Sequence, residues 1–438
     1  MKLGVISLGC DKATVDSERL VGDLVGHGAS VVADLAGADV ILVNTCGFID
    51  AAKKESIDAI LQAAALKESG VKAVVAVGCL IQRYQEELRQ EMPEVDLMLG
   101  FHDLHTLVPT LAERGLLPDP IAGHPGLREF LGDASHVRYL KISEGCDHTC
   151  AFCAIPLMRG KHRSEPMERL VREAQDLEAQ GVKEINLVAQ DLGHYGRDLG
   201  RNGPKLPDLI ESLLQATSVP WFRLLYVYSF GLTEQLVDLM ARESRIVPYI
   251  DIPIQHGSDT MLERMRRPER AATIREKVAW LRESVPDIAI RTTTIVGFPG
   301  ETEDDFRQLC AFAEEMQFDR LGVFTYSEQE GTRGAELEDD VPVESKRERQ
   351  EELTELQRSI SEARLSRFVG RDVDVLIDEI VDPDEMDATH VGRVAWQAED
   401  VDGVTLVREG GWAQPGDFVR ARLEEAVDYD FYARVIPD

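Results

Sequence analysis

The sequence predicts an α/β protein in three parts: an N-terminal parallel-sheet α/β domain, a central partial (βα)6 barrel, and a small all-β, OB-like barrel at the C-terminus. Three observations predict it. Short apolar runs alternate with amphipathic stretches over residues 1 to about 113 and again from about 137 to 327, the rhythm of strands and crossover helices. Beyond residue 370 the pattern changes to short β runs separated by turns. The 438 residues, 44% hydrophobic and 29% charged, also exceed one ordinary globular domain. The expected divisions are 1–114, a linker at 115–131, 132–368 with a C-terminal connector helix, and 369–438.

In the first part KLGVISLGC precedes a helical stretch near 14–27, and ADVILVNTC precedes one near 51–68. KAVVAVGC leads into a helix at 81–91, and VDLMLG into another near 103–113. Strand ends of such a parallel sheet emerge on one edge, where open α/β folds bind ligands. Cys10, Cys46 and Cys79 each close one of these runs, so they are expected to converge there. Three unrelated core cysteines are the alternative, because free Cys is often buried.

Residues 115–136 are rich in Pro and Gly and read as a linker. Six strands are expected after it, at 139–143, 184–190, 222–229, 249–256, 288–298 and 320–327. A barrel of this kind carries its site at the C-terminal strand ends. Cys146, Cys150 and Cys153 follow the first of the six. Residues 343–367 form a charged amphipathic helix with Leu353, Leu356, Ile360 and Leu365 on one side, read as a connector. VDVLIDEI, HVGRVAW, GVTLV and DFVRARLEEA then supply the strands of the last module.

Charge narrows the function classes. Lys and Arg total 48 against 79 Asp and Glu, a formal net charge of −31. Residues 371–438 hold 6 Arg, no Lys and 18 acidic groups, so this module carries 6 − 18 = −12. Small barrels often bind nucleic acid, but this field disfavours phosphate and attracts basic partners. The opening MKLGVISLGC lacks a signal-peptide pattern and no apolar run approaches bilayer length, so a cytoplasmic protein without membrane association is expected. Thiols in such a chain stay reduced, which favours metal ligation over disulfides.

The spacing C-x3-C-x2-C of Cys146, Cys150 and Cys153 does not match a zinc finger, which needs two paired ligand sets. With Phe152 before the last cysteine, it resembles the signature of radical S-adenosylmethionine (SAM) enzymes. The resemblance implies that three thiolates hold a [4Fe-4S] cluster whose open iron chelates SAM. Reductive cleavage of SAM would then yield a 5′-deoxyadenosyl radical that abstracts hydrogen. Ile155-Pro156, Arg159-Gly160 and Ser164, together with the dispersed Cys10, Cys46 and Cys79 and the small C-terminal module, resemble the methylthiotransferases. That resemblance covers nearly the whole chain. It implies a second, auxiliary [4Fe-4S] cluster on the N-terminal triad that carries sulfur, a radical SAM core, and a TRAM domain.

Within that family, Gln190-Asp191 with Tyr195-Gly196 and Asp198 looks like the RimO-type branch, which modifies a ribosomal protein. So do Asp251-Ile252-Pro253-Ile254-Gln255-His256, Tyr326-Ser327 and Glu330-Gly331-Thr332. The implied substrate is an aspartate β-carbon of the twelfth protein of the small ribosomal subunit (uS12), free or in the assembled subunit. The implied partners are a reductant such as flavodoxin or ferredoxin and a sulfur donor. The MiaB-type branch, which modifies tRNA adenosine, is the alternative, and direct tRNA recognition is not expected from the acidic module. A non-catalytic iron–sulfur electron carrier or RNA-binding scaffold is the alternative of another class. One departure stands out: Glu165 occupies a position where the family commonly has Arg. The resemblance further implies SAM contacts from Phe152, Gln190, Gln255, Arg291, Val296, Gly297 and Phe324, for each of which strand-end packing is the alternative. Cys310 is read as a core residue, and His148 and His256 as structural or substrate-positioning residues.

Overall fold

The structure, a computed structural model, describes residues 1–117, 128–132, 136–384 and 386–436. Most of the expected linker, residues 118–127, lies outside the described residues. Five parallel strands, β1 (Lys2–Ser7), β2 (Ser30–Val31), β3 (Val40–Thr45), β4 (Ala73–Gly78) and β5 (Leu97–Leu99), form the first sheet in the order β2-β1-β3-β4-β5. Every residue of β3 and β4 is buried, which is why these segments read as continuous apolar runs. Alternate residues serve opposite cores. Val40, Leu42, Val75 and Val77 pack with Val21, Leu24 and Leu107, while Ile41, Val43, Val74 and Ala76 pack with Ile60, Ala63 and Ile81. The sequence pattern missed β2, whose two residues are both exposed and carry no burial signal.

The central sheet contains β6 (Val137–Lys141), β9 (Glu184–Val188), β10 (Trp221–Leu224), β11 (Ile246–Asp251), β12 (Ala289–Val296) and β13 (Arg320–Thr325). A two-residue ribbon, β7 (Ser143–Glu144) with β8 (Arg163–Ser164), lies between the first two. The six long strands are parallel and neighbour one another in chain order, with β6 and β13 as free edges, so the barrel is open. Leu140, Leu187, Leu224, Ile250 and Ile290 pack outward against Leu170, Leu213, Leu236, Ile274 and Phe306 of the covering helices. All six strands end before their apolar runs, most of all β10 at Leu224 and β11 at Asp251. Tyr226 (φ 63°) and Gln255 (φ 73°) adopt left-handed backbone, which extended structure cannot continue through.

The helix Val343–Ser366 buries Leu353, Ile360 and Leu365. It leads to β14 (Asp372–Ile380), β15 (His390–Arg393), β16 (Thr405–Arg408), β17 (Phe418–Val427) and β18 (Asp430–Val435), a closed barrel in the order β14-β15-β16-β18-β17. This module plugs the N-terminal end of the central barrel. Phe368 and Trp396, stacked at 3.7 Å, share a core with Val137, Trp221, Val247 and Ala289, each at or next to the start of its strand. At the seam Glu184 accepts from Arg223 at 2.7 Å and from Arg393 at 2.6 Å, all three side chains being buried. The opposite, C-terminal strand ends are thereby left for the cysteines.

Candidate active site

In the N-terminal domain, Cys46 directly follows β3 and Cys79 directly follows β4, opening the helix Cys79–Glu91. Cys10 lies three residues past β1 and caps the helix Asp11–Gly26. Two helix N-termini thus begin at these thiols, and the positive end of each helix dipole favours anionic sulfur. The loops touch. A Cβ added at Gly9 would fall 3.3 Å from Cβ of Cys46, and one at Gly47 would fall 2.9 Å from the Leu80 amide nitrogen. Glycine at these positions lets the three strand-end loops close on one another. Burial pushes the Cys46 thiol up, and the Cys79 thiol up to about 11, against the pull of the nearby Arg159 guanidinium.

The second triad follows β6 and the ribbon strand β7. Cys146 and Cys150 are buried and Cys153 is partly so. Burial pushes Cys146 and Cys153 to about 12, while the amides of His148 and Ile155 donate toward the two sulfurs. Arg267 Nη1 lies 3.7 Å from Cys150 Sγ, and its guanidinium sits 4.1 Å above the Tyr228 ring. All seven cysteines are free thiols.

The donor sets fit iron–sulfur clusters better than single ions. Three thiolates around one zinc would stand roughly 3.8 Å apart, given Zn–S bonds near 2.3 Å. Among the described residues only His148, Asp191 and His194 bring their ligand atoms within 4.8 Å of one another; neither cysteine triad is that compact. Three thiol donors suit a four-iron core, in which one iron is left without a protein ligand. The His148–Asp191–His194 group is itself internally satisfied: His148 Nε2 bonds Asp191 at 2.8 Å, His194 bonds Arg197 at 2.6 Å, and the His148 ring stacks on Tyr228 at 4.3 Å.

The expected SAM contacts fall into two groups. Gln190 lies two residues past β9, and both polar atoms of its carboxamide are buried without a hydrogen-bond partner, as suits a group awaiting a ligand. Gln255 is buried just beyond β11, bridged to β12 through its backbone. Phe152 packs beside Phe298 and Tyr326, and Phe324 on the edge strand β13 is 53% exposed. Arg291, Val296 and Gly297 have other partners. Arg291 bonds Asp251 at 3.1 Å and faces Asp402 of the C-terminal barrel at 3.9 Å. The Val296 side chain packs in the sheet–helix core, and the Gly297 amide donates to Glu301 at 2.8 Å. His256 is wholly buried beside Glu301 at 3.4 Å, and Cys310 packs against the main core. Glu165, where the family pattern has Arg, pairs with Arg169 at 2.9 Å and with Arg19 of the N-terminal domain at 3.5 Å.

The sequence named Arg159 as a motif residue but gave no sign of the network between the two cysteine sets. Lys12 Nζ sits 3.4 Å above the Tyr226 ring, joining the Cys10 loop to the barrel mouth. Asp16 of the first helix accepts from Arg159 Nη1 at 3.0 Å and pairs with Lys141; Glu144 accepts from both cations, at 3.0 and 2.8 Å. Burial alone would raise the Glu144 carboxyl, but Lys141 and Arg159 more than offset this and hold it at about 2.

Known proteins match the chain along nearly its whole length. Residues 2–100 match Uncharacterized protein family UPF0004, residues 140–313 the Radical SAM superfamily, and residues 369–436 the TRAM domain. The ribosomal protein uS12 methylthiotransferase RimO of Geobacter sulfurreducens is 43% identical, over 99% of this chain and 98% of its own. Its counterpart in Sorangium cellulosum is 44% identical, over 100% and 91%. The chain belongs to the RimO family. Among solved structures, the radical SAM methyltransferase TsrM of Kitasatospora setae shares the fold at a TM-score of 0.55 and 14% identity, over 76% of this chain and 77% of its own. The cobalamin-dependent radical enzyme OxsB does so at 0.51 and 12%, over 80% and 56%. Membership gives the chain a radical SAM domain, a TRAM barrel and a transferase chemistry dependent on SAM and iron–sulfur clusters. No described helix is long and apolar enough to cross a membrane.

Proposed function

We propose that the chain is a radical SAM methylthiotransferase that replaces a β C–H of an aspartate in ribosomal protein uS12 with C–S–CH3. The observation that carries this reading is the pair of three-cysteine sets, one on each side of a domain interface, in a chain 42–44% identical along its length to relatives of that activity. The bound clusters and SAM would supply the radical and the sulfur that an unactivated C–H bond requires. The chain's own contribution is placement. Cys146, Cys150 and Cys153 would hold the SAM cluster, with Arg267 against Cys150 and the unpartnered Gln190 facing the ligand. Cys10, Cys46 and Cys79 would hold the auxiliary cluster at two helix N-termini. The enzyme would act in the cytoplasm, on free uS12 or the small ribosomal subunit, served by a flavodoxin- or ferredoxin-like reductant and by a sulfur donor.

The alternative tRNA substrate is disfavoured by the C-terminal barrel. Each of its six arginines pairs with a carboxylate: Arg371 with Asp287, Arg393 with Glu184, Arg408 with Glu424, Arg420 with Asp374, Arg422 with Asp372, and Arg434 with Glu409. That leaves no free guanidinium among them for phosphate, which nucleic-acid affinity depends on. Mass spectrometry of ribosomal proteins and tRNA from cells with and without the gene tests the proposal. The expected result is loss of a methylthio mass on uS12 alone; loss from tRNA with uS12 unchanged would overturn it.

A further inference from the structure

Arg159, with Lys141, connects the surroundings of both cysteine sets through Asp16 and Glu144. It ends the short helix Ile155–Arg159, which starts two residues after Cys153. Its side chain is 1% exposed. Nη1 is fully used, 3.0 Å from Asp16 on the helix that Cys10 caps and 3.0 Å from Glu144, two residues before Cys146. The guanidinium stacks 4.5 Å from the Phe101 ring. Cys79 packs against Ala154, Met158, Ile155 and the same Phe101, so its sulfur lies along this helix. Nη2 is buried without a hydrogen-bond partner of good geometry, and the guanidinium lies beside the Cys79 thiol. A buried guanidinium nitrogen left unpaired is costly, and native proteins rarely tolerate it without a ligand.

We propose that Arg159 is a positioning residue for the auxiliary cysteine set. Its Nη2 donates to sulfur held there, either a ligand thiolate or the anionic sulfur on the open iron, while Nη1 fixes the separation of the two sets through Asp16 and Glu144. A planar guanidinium can do both at once because its donors diverge in one rigid fork, which a lysine ammonium cannot imitate. Two consequences follow. N–H···S bonds and a nearby cation stabilise the reduced, more negative cluster and so raise its potential. The same donor strengthens binding of hydrosulfide at the open iron. The inference rests on the two-cluster reading above.

The test uses the full chain, reconstituted anaerobically, with Cys146, Cys150 and Cys153 replaced by Ala so that only the auxiliary cluster reports. Arg159→Gln, Arg159→Lys and Asp16→Asn are compared by redox titration followed by electron paramagnetic resonance, and by titration with sodium hydrosulfide. Arg159→Gln is expected to shift the midpoint to more negative potential and to weaken hydrosulfide binding about tenfold, the low end for a hydrogen bond to a charged group. Arg159→Lys, which keeps the charge without the fork, is expected to restore part of the potential. Asp16→Asn still offers an oxygen to Nη1 but removes one carboxylate of the interdomain tie, and is expected to lower the melting temperature without loss of hydrosulfide affinity and with any shift of the midpoint toward positive potential, opposite to Arg159→Gln. Unchanged potential and affinity in Arg159→Gln, or an equal shift in Asp16→Asn, overturns the inference while leaving the two-cluster reading intact. Failure of the cysteine-replaced parent to hold about four irons per chain overturns that reading, and the inference with it.

Discussion

If the two cysteine triads hold the clusters as proposed, cysteine identity decides what each cluster can do, because three thiolates leave one iron of four without a protein ligand. The two sets therefore fail differently. Replacing Cys146, Cys150 and Cys153 with Ala is expected to leave about four irons per chain and no reductive cleavage of SAM, read by iron analysis and by 5′-deoxyadenosine formation. Replacing Cys10, Cys46 and Cys79 is expected to keep 5′-deoxyadenosine formation and abolish the methylthio product; full product yield would refute the sulfur-carrying role. These six residues were legible in the sequence because strand ends and the tight C-x3-C-x2-C spacing are one-dimensional signals. Arg267 and Lys12 were not, and Arg159 was visible only as part of a motif, with no partner assigned to it. Arg267 sits in a run of arginines with no distinguishing spacing, and only the fold brings it within 3.7 Å of Cys150 Sγ. Gln190 and Gly297 both follow strand ends, yet one has an unpartnered carboxamide and the other a committed amide, a difference that no one-dimensional signal carries.

Elements were read well where burial was two-sided and poorly where the backbone turned. β3 and β4, buried at every position, match their apolar runs closely, whereas the run at 222–229 yields a strand only to Leu224. An apolar side chain beyond the strand still seeks the core: Leu225 and Val227 are buried although the ladder has ended. The seam between the central and C-terminal barrels was invisible in sequence, since Glu184 and Arg393 are 209 residues apart. Burial alone would raise the Glu184 carboxyl, but Arg223 and Arg393 more than offset it and hold it below its ordinary 4.5. A carboxylate depressed in the folded state contributes its full stability above the unfolded value and loses it as pH falls through the folded one. Acid is therefore expected to loosen this seam below about pH 4.5, where the unfolded chain takes up the proton first. Glu184→Gln leaves two buried guanidiniums short of a counter-charge and is expected to cost about 3–5 kcal/mol, with a flatter acid limb, in urea unfolding followed across that range. Unchanged stability at neutral pH would show that the pair does not hold the module in place.

At the scale of the molecule, charge and architecture point the same way. The C-terminal barrel plugs the N-terminal end of the central barrel, while the cysteines occupy the C-terminal strand ends. A macromolecular substrate must therefore reach the mouth from the far side while its body can still meet the acidic module. With a net charge of −31 over the chain, a basic ribosomal protein is attracted at long range and RNA is repelled. All six module arginines are held in ion pairs, while Glu379, Asp382, Asp384 and Glu425 remain exposed to act on a partner. Exposed charges act over roughly 10 Å at 0.1 M salt, so binding of purified uS12 to the full chain is expected to weaken as salt rises. Replacing these four acids with Lys is expected to weaken it roughly tenfold and to reduce its salt dependence, since exposed pairs contribute about 0.2–1 kcal/mol each. Calorimetric or fluorescence titration with uS12 and with tRNA, each at two salt concentrations, makes the measurement. Tight tRNA binding with no affinity for uS12 would move the chain to the tRNA branch, whereas unaltered uS12 affinity in the four-Lys variant would assign recognition to the mouth of the barrel and leave the C-terminal module as a plug.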